Sequence, residues 1–303
     1  MKFGKNYITI LFCLLSVINI AIFFYRDKFA FHKYGTISSL YSADTAKWKK
    51  FIGDYPKQEL DEAKTILDSL HLERQSTASK ILNIGKLLYS RFYRQAGQPS
   101  TQLENASPLD QYKILSSSDT VKLWCGNFAN MFAFLCWSEG IPCRVIEIMN
   151  PGDHHVLNEC FLPEKGNWAV ADVTNNNLLL LNKNNNGYVD LLSVRDSLSG
   201  PLLALQASDS SIDTRPFSAG FYDKYFGNEN PINYYYHTNN LKVYRTSEKI
   251  KRYFLPVPWY EELDKTPKGN LLFYVKQLFI LLWLISFILL ARQFISPKFR
   301  SFL

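Results

Sequence analysis

The sequence predicts an α+β fold in which a helix that begins at a cysteine packs on an antiparallel sheet, with one transmembrane helix before this core and one after it. Three observations lead to this prediction: an apolar segment near each end of the chain, a helical pattern starting at Cys125, and alternating strand patterns after Gly140. The 303 residues suffice for one sizeable core. Because 47% of them are apolar and 15% aromatic, the chain is a folded protein and not a disordered one.

The first apolar segment, residues 7–25, carries no charge and lies between Lys5 and Arg26. A helix needs about 20 apolar residues to cross the hydrocarbon core, so this segment predicts a transmembrane helix. A cleaved signal peptide has a similar charged start and apolar centre, but bulky residues follow here where a cleavage site needs small ones. An uncleaved anchor is therefore favoured. Residues 271–291 predict a second span, with a buried core helix as the alternative.

The basic residues are spread along the chain, and several flank the two apolar segments. The net charge is +7, but the basic residues are not concentrated on one helix or strand, so no nucleic-acid partner is expected. The inner flanks mix basic residues with acidic ones such as Glu261 and Glu262, whereas the outer flanks are basic, with Lys2, Lys5, Arg292, Lys298 and Arg300. The positive-inside rule therefore predicts cytoplasmic ends and an extracytoplasmic domain, anchored in membrane lipid by two helices.

These features divide the chain into consecutive parts. The helical region is predicted from apolar residues spaced three and four apart, such as Ile81, Ile84 and Leu88. Residues 200–240 give no pattern that assigns them. In order, we expect a cytoplasmic N terminus at 1–6, a transmembrane helix at 7–25, a helical region at 40–110, the α+β domain at 111–255, a linker at 256–270, a transmembrane helix at 271–291 and a basic C-terminal tail at 292–303.

The five cysteines show no C-x-x-C pair. A disulfide scaffold would be denser in cysteine, and a zinc site would show tighter spacing. Cys136 falls on the apolar face of the predicted helix, and Cys143 and Cys160 lie on neighbouring predicted strands where their side chains could touch. The sequence therefore predicts buried free thiols beside one reactive thiol, with a bridge or a metal site at Cys143 and Cys160 as the less favoured alternatives. No metal and no cofactor are expected.

The reactive thiol is predicted to be Cys125, since apolar residues follow it at helical spacing as far as Gly140 and Pro142, which end the helix. The positive end of a helix dipole stabilises a thiolate, and its unpaired N–H groups can hold an oxyanion. The alternative is a small buried cysteine at a helix cap. Two strand patterns follow, one with His155 and one with Asp172. Nucleophile, proton acceptor and orienting carboxylate are the three roles that a thiol attack needs.

These motifs resemble the transglutaminase-like superfamily of papain-like thiol enzymes. They are the Cys-opened helix at 125–129, Gly-Ile-Pro-Cys-Arg-Val at 140–145, His-Val-Leu-Asn-Glu at 155–159 and Trp-Ala-Val-Ala-Asp-Val-Thr at 168–174. The resemblance covers roughly residues 120–175 and implies a catalytic triad of Cys125, His155 and Asp172. The chain departs from the family pattern where Trp124 precedes the cysteine and Val173 follows the aspartate.

Alternatives remain for the supporting residues. His154 adjoins His155, but only His155 keeps the family's three-residue step to Asn158. A hairpin closed symmetrically around Lys165 would set Asn175 opposite His155, whereas a bulge or a longer turn would bring in Asp172. Trp124, Asn158 and Asn175 are thus candidates for oxyanion binding or support. Arg144 and Glu159 are expected to form a structural ion pair.

The resemblance implies a membrane-anchored thiol enzyme, an acyltransferase or hydrolase that transfers acyl groups or cleaves amide or peptide bonds through the triad. The sequence identifies neither the exact substrate nor the acyl acceptor. The expected substrate class is a peptide or another amide or ester outside the cytoplasm, cell-envelope material included. The alternative is a non-catalytic transglutaminase-like module that binds or scaffolds at the membrane.

Overall fold

The protein is described from a computed structural model over residues 3–42, 44–52, 55–196, 202–227, 230–236, 246–258, 260–263 and 269–294. The predicted flank residues Lys2, Lys298 and Arg300 lie outside these ranges. The elements are α1 (Phe3–Phe24), β1 (Lys33–Tyr34), α2 (Ile37–Leu40), α3 (Thr45–Trp48), α4 (Lys57–Leu67), α5 (Thr77–Phe92), α6 (Thr101–Asn105), α7 (Pro108–Ser117), α8 (Cys125–Ser138), β2 (Cys143–Asn150), β3 (Asp153–Leu162), β4 (Asn167–Ala171), β5 (Leu179–Asn182), α9 (Leu191–Asp196), β6 (Leu202–Ala207), β7 (Ile212–Pro216), α10 (Ala219–Phe221), β8 (Ile232–Tyr235), α11 (Thr246–Phe254), β9 (Tyr260–Leu263) and α12 (Leu271–Phe294).

The chain divides into two compact units. The smaller unit contains the two predicted transmembrane segments, and the larger one contains the α+β core. The smaller unit comprises Met1–His32, Thr246–Pro258 and Thr266–Leu303, and the larger comprises Lys33–Arg245 and Trp259–Lys265.

The smaller unit is built around α1 and α12, which pack against each other. Trp283 on α12 donates its indole N–H to Ser16 Oγ on α1 at 2.8 Å, and its ring stacks on Phe12. Both helices are long and apolar enough to cross a membrane. Most of their apolar side chains are exposed, whereas a core helix of a soluble protein would bury them.

The larger unit places helices around α8, which contacts α4, α5 and α7 as well as β2 and β3. Serine caps set the starts of two of these helices: Ser76 Oγ accepts the Ser79 N–H at the start of α5, and Ser107 Oγ accepts the Asp110 N–H at the start of α7. The apolar stripe predicted on α5 lies in the core, where Ile81, Ile84 and Leu88 are fully buried. Because α7 crosses position 110, the helical region and the Cys125 helix share one core.

The main sheet has six strands in the order β1-β9-β8-β2-β3-β4, and a second sheet has the order β5-β6-β7. β1 pairs in parallel with β9, and the other pairs are antiparallel. Helices packed with an antiparallel sheet confirm the predicted α+β class.

β9 lies within the segment predicted to be a linker. From the sequence, its acidic residues, Glu261 and Glu262, were assigned to the flank of the second transmembrane helix. Glu261 is instead buried in the sheet, where its carboxylate meets Lys33 Nζ at 2.9 Å and Tyr236 Oη at 2.5 Å. Alternation of apolar residues could not predict this strand, because its buried side chain is the charged Glu261. The groups that bind its carboxylate come from distant parts of the chain.

The β3–β4 hairpin is closed by a four-residue turn, since Leu162 pairs with Asn167 and Asn158 with Ala171. The N–H groups of Lys165 and Gly166 both donate to the Leu162 carbonyl, at 3.0 and 2.8 Å. Gly166 has φ +66°, a left-handed conformation that favours glycine. The turn is therefore centred between residues 164 and 165. The hairpin is not closed symmetrically around Lys165, which was one of the possibilities considered from the sequence.

The predicted ion pair between Arg144 and Glu159 is confirmed. The two residues are register partners on β2 and β3, with Arg144 Nη2 2.6 Å from Glu159 Oε2, and both side chains are fully buried. The guanidinium lies over the rings of Trp168, Tyr234 and Tyr41, at 3.9, 4.6 and 4.7 Å from their centroids. This buried pair joins β2 to β3, two neighbouring interior strands of the main sheet.

Candidate active site

Cys125 is the first residue of α8 and is half-buried. Asn127 Oδ1 accepts the Trp124 N–H at 3.0 Å, and its Nδ2 donates to Gln111 Oε1 on α7 at 3.2 Å. These bonds fix the first turn of the helix against its neighbour. The N–H groups of a first turn have no acceptor within the helix, so the cysteine sits where an anion is stabilised.

His155 is buried on β3 and brings Cys125 and Asp172 together. Its Nε2 lies 2.9 Å from Asp172 Oδ2, and the Cys125 thiol is near enough to its ring to help raise the pKa of the imidazole. Because Nε2 already faces the carboxylate, Nδ1 is the ring nitrogen left for the thiol. The ring packs against Phe221 and Tyr225, with centroids 5.2 and 5.1 Å away, and those two rings lie 4.8 Å from each other.

Both candidates for the third role, Asp172 and Asn175, reach His155. β4 ends at Ala171, and the chain then turns through a short 3₁₀ helix, Val173–Asn175, that Asp172 caps by accepting the Asn175 N–H. The turn brings Asn175 Nδ2 to 3.2 Å from His155 Nε2 and to 2.9 Å from Asp172 Oδ2. Because the chain bends after β4, both Asp172 and Asn175 reach His155. The two hairpin registers considered from the sequence are therefore not alternatives.

One ring nitrogen cannot donate to Asp172 and accept from Asn175 at the same time. The carboxylate is the stronger partner, because a charge-assisted hydrogen bond is shorter and roughly twice as strong as a neutral one. Nε2 therefore carries a proton and donates a hydrogen bond to Asp172 Oδ2. Asn175 donates to the same carboxylate, which makes it a support for Asp172.

The environment of His155 favours its protonated form. Burial alone would lower the pKa of the imidazole, but the Asp172 charge, the hydrogen bond from the ring to Asp172 and the Cys125 thiol together raise it to about 10. The imidazole of His155 is therefore protonated at neutral pH. An adjacent imidazolium stabilises a thiolate.

We expect the stability that His155 contributes to fall as pH rises. A folded-state pKa of about 10, against about 6.5 in the unfolded chain, makes the contribution complete below about pH 6.5 and absent above about pH 10. Urea unfolding of the detergent-solubilised protein should therefore show a difference between wild type and His155→Gln that shrinks across this range. His154→Gln is the matched control, and a difference that grows with pH would contradict the assignment.

Asp172→Ala should impair reaction of the Cys125 thiol with an acyl probe more than Asn175→Ala does. Removing Asp172 leaves the buried imidazolium without its counter-charge, whereas removing Asn175 deletes one hydrogen bond to that carboxylate, worth about 1.5–3 kcal/mol. The rate of probe attachment in the two variants, both checked for folding by circular dichroism, measures this. The reverse order would transfer the orienting role to Asn175.

A cleft of about 220 Å³ opens beside Cys125. Its lining combines apolar side chains with polar ones and includes the carboxylates of Glu104 and Glu147. Glu147 Oε2 accepts the Tyr235 hydroxyl at 2.6 Å, which fixes one wall. His154 is exposed and lines this cleft, whereas His155 lies buried beside the thiol.

The remaining predicted supports differ in what they can do. Trp124 is 42% exposed and lines the cleft next to Cys125. Asn158 is buried, and its amide donates to the carbonyls of Ala129 and Arg144 at 3.0 and 3.3 Å. Both N–H bonds of that amide are thus used to tie α8 to β2, and neither remains for an oxyanion.

Phe221 and Tyr225, which pack against His155, were missed from the sequence because residues 200–240 gave no pattern. They lie on α10 and on the single π-helical turn Tyr222–Phe226 that follows it. Tyr225 is anchored by donating its hydroxyl to Asp153 Oδ2 at 2.8 Å. The aromatic run at 221–226 was the available signal, and π-helical turns are frequent at functional sites.

A second group of thiols lies away from Cys125. Among the described residues, the Sγ atoms of Cys136, Cys143 and Cys160 all lie within 4.8 Å of one another, and all three residues are buried. No sulfur–sulfur bond joins them in this structure.

Comparison with known proteins supports the assignment of the core. Residues 95–173 match the family model described as the transglutaminase-like superfamily. No significant match was found among curated proteins or among solved structures. The matched segment contains Cys125, His155 and Asp172, so the resemblance seen in the sequence is confirmed over residues 95–173.

Proposed function

We propose that the protein is a membrane-anchored thiol enzyme that transfers acyl groups or hydrolyses amide or peptide bonds through Cys125, His155 and Asp172. The observation that carries this proposal is the alignment of the three groups. A helix-terminal thiol faces a buried imidazole, whose far nitrogen lies 2.9 Å from a buried carboxylate. This arrangement supplies the nucleophile, the acid–base group and its orienting charge.

In the proposed reaction, the Cys125 thiolate attacks the carbonyl carbon of an amide or ester bound in the cleft. The N–H groups at the start of α8 face the negative oxygen that forms. The His155 imidazolium donates its proton to the leaving amine or alcohol as the carbon–heteroatom bond breaks, which leaves a thioester on Cys125. Neutral His155 then removes a proton from water or from an amine, whose attack on the thioester releases the product.

The test is covalent trapping at Cys125. A thiol-reactive acyl probe should label the detergent-solubilised protein at Cys125 and not at the buried thiols, as determined by peptide mapping. Cys125→Ala is the matched control, because it removes the thiol without adding volume. An absence of labelling in folded wild type would contradict the enzyme proposal and leave a non-catalytic binding module as the function of this fold.

We further propose that the larger unit lies outside the cytoplasm, with α1 and α12 as its membrane anchors. The basic residues on the outer flanks support cytoplasmic ends for the two helices. Glu261 and Glu262 belong to β9, so they are not part of a membrane flank and give no information on the orientation.

Cysteine accessibility should show this side directly. Gln102 and Ser210 are exposed positions on the larger unit, far apart in sequence. In a background lacking Cys13 and Cys125, Gln102→Cys and Ser210→Cys should each react with a membrane-impermeant maleimide on intact cells. Reaction of both positions only after the membrane is opened would place the unit in the cytoplasm.

A further inference from the structure

The thiols of Cys143 and Cys160 lie face to face in the core. The two residues are register partners on β2 and β3, and their Sγ atoms are 3.1 Å apart. We propose that Cys143 and Cys160 form a disulfide across this hairpin in the mature protein, with Cys136 kept as a free thiol beside it.

The strand pairing provides the geometry that a bridge needs. The Phe161 N–H donates to the Pro142 carbonyl at 2.8 Å, so the adjacent pair, Pro142 with Phe161, occupies a hydrogen-bonded position of the ladder. Hydrogen-bonded and non-hydrogen-bonded pairs alternate, so Cys143 and Cys160 form a non-hydrogen-bonded pair with Cα atoms about 4.5 Å apart. Disulfides span Cα separations of roughly 4.4–6.8 Å. The two sulfur atoms can therefore join by side-chain rotation, with the strands left in place.

Electrostatics favours a disulfide over a metal ion at this group. Metal binding requires thiolates, but all three cysteines are buried among apolar side chains, and burial raises the pKa of each thiol well above its ordinary value. A structural zinc ion takes four ligands, whereas the group found among the described residues has three. A disulfide carries no charge, so its burial has no such cost.

The covalent step balances with one external reactant. The thiols of Cys143 and Cys160 lose two protons and two electrons as the sulfur–sulfur bond forms. A disulfide oxidant, such as an oxidised dithiol protein, accepts the electrons and protons and leaves as two thiols. Because the pair is buried in the folded protein, the exchange takes place during folding, before α8 covers the hairpin. Oxidants of this class act outside the cytoplasm, so the inference rests on the side of the membrane proposed above.

Cys136 is the one nearby thiol that could compete. It lies in the last part of α8, within 4.8 Å of both partners. A bond from Cys136 would join a helix to a strand, whereas Cys143 and Cys160 are already held opposite each other by the ladder. The structure therefore assigns the bridge to the two strand residues.

Peptide mapping of the protein isolated from its own membrane tests the proposal. The sample is quenched in acid, unfolded, alkylated with N-ethylmaleimide and cleaved after Lys, Arg and Glu without reduction. Cleavage at Glu139 and Arg144 separates Cys136 from Cys143, and cleavage at Glu159 frees the peptide that begins at Cys160. We expect one linked peptide containing Cys143 and Cys160, with Cys125 and Cys136 alkylated. Alkylation of both Cys143 and Cys160, a link to Cys136, or a stoichiometric metal ion would each overturn the proposal.

Matched variants separate this result from the others. The linked peptide should still be found in Cys136→Ala. It should be absent from Cys143→Ala, in which Cys160 should be alkylated. The peptide map of the unsubstituted protein does not depend on whether either variant folds. If the accessibility assay places the unit outside the cytoplasm and both thiols are nonetheless alkylated, the bridge is wrong and the topology stands. Labelling of Cys125 is independent of both, because that thiol is not part of the group.

Discussion

His155→Ala is expected to reduce acyl-enzyme formation at Cys125 by roughly 10³- to 10⁴-fold. The substitution removes the proton donor for the leaving group and the imidazolium that stabilises the thiolate. It also leaves Asp172 buried without its partner 2.9 Å away. Single-turnover formation of the thioester from a chromogenic ester, measured in detergent, gives the rate directly.

His154→Ala is the matched control, because it changes the neighbouring residue on the same strand. His154 is exposed at the cleft, so its loss should alter substrate binding more than the rate of the chemical step. If His154→Ala proved the more damaging change while both variants remained folded, His154 would be the acid–base residue and the assignment of His155 would fail.

Arg144→Met is expected to cost about 3–5 kcal/mol of the free energy of unfolding. The methionine can occupy the space between Trp168 and Tyr234, but Glu159 would keep a fully buried carboxylate with no cation beside it. Urea unfolding followed by tryptophan fluorescence measures the loss, and Trp168, which packs on the guanidinium, reports on the same site.

Adding Glu159→Gln to Arg144→Met should restore part of the lost stability. The glutamine has no charge to leave uncompensated, and its oxygen can still accept the Leu191 N–H that Glu159 accepts at 2.6 Å. A double variant less stable than Arg144→Met alone would show that desolvation of the carboxylate is not the cause. The pair lies outside the cleft, so labelling of Cys125 should persist in any variant that folds.

The features predicted from the sequence are those whose causes lie close together in the chain. Helical spacing after Cys125 indicated the start of α8, and the expected ion pair of Arg144 and Glu159 joins neighbouring strands of one hairpin. The order of Cys125, His155 and Asp172 likewise followed from local motifs. Each of these inferences needs only the period of one helix or the alternation of one hairpin.

What the sequence left undecided depends on turns and on distant partners. The relation of Asp172 and Asn175 to His155 depends on the 3₁₀ turn after β4, and no strand register describes that turn. The packing of Phe221 and Tyr225 against His155 joins residues far apart in the chain. Strand β9 escaped notice because Glu261 is neutralised by lysines more than two hundred residues before it.

Strand β9 belongs to the larger unit although it follows a segment of the smaller one, and this limits where the chain can be truncated to isolate the larger unit. Residues 246–258 belong to the smaller unit, and β9 comes after them to pair with both β8 and β1. A truncation after residue 236, the natural place to remove the C-terminal helix, would delete β9 and strip β8 of one neighbour. The freed backbone of β8 would become an open sheet edge, which is a site for strand addition from other molecules and hence for aggregation. A soluble fragment should therefore carry β9 reconnected to β8 by a short designed loop.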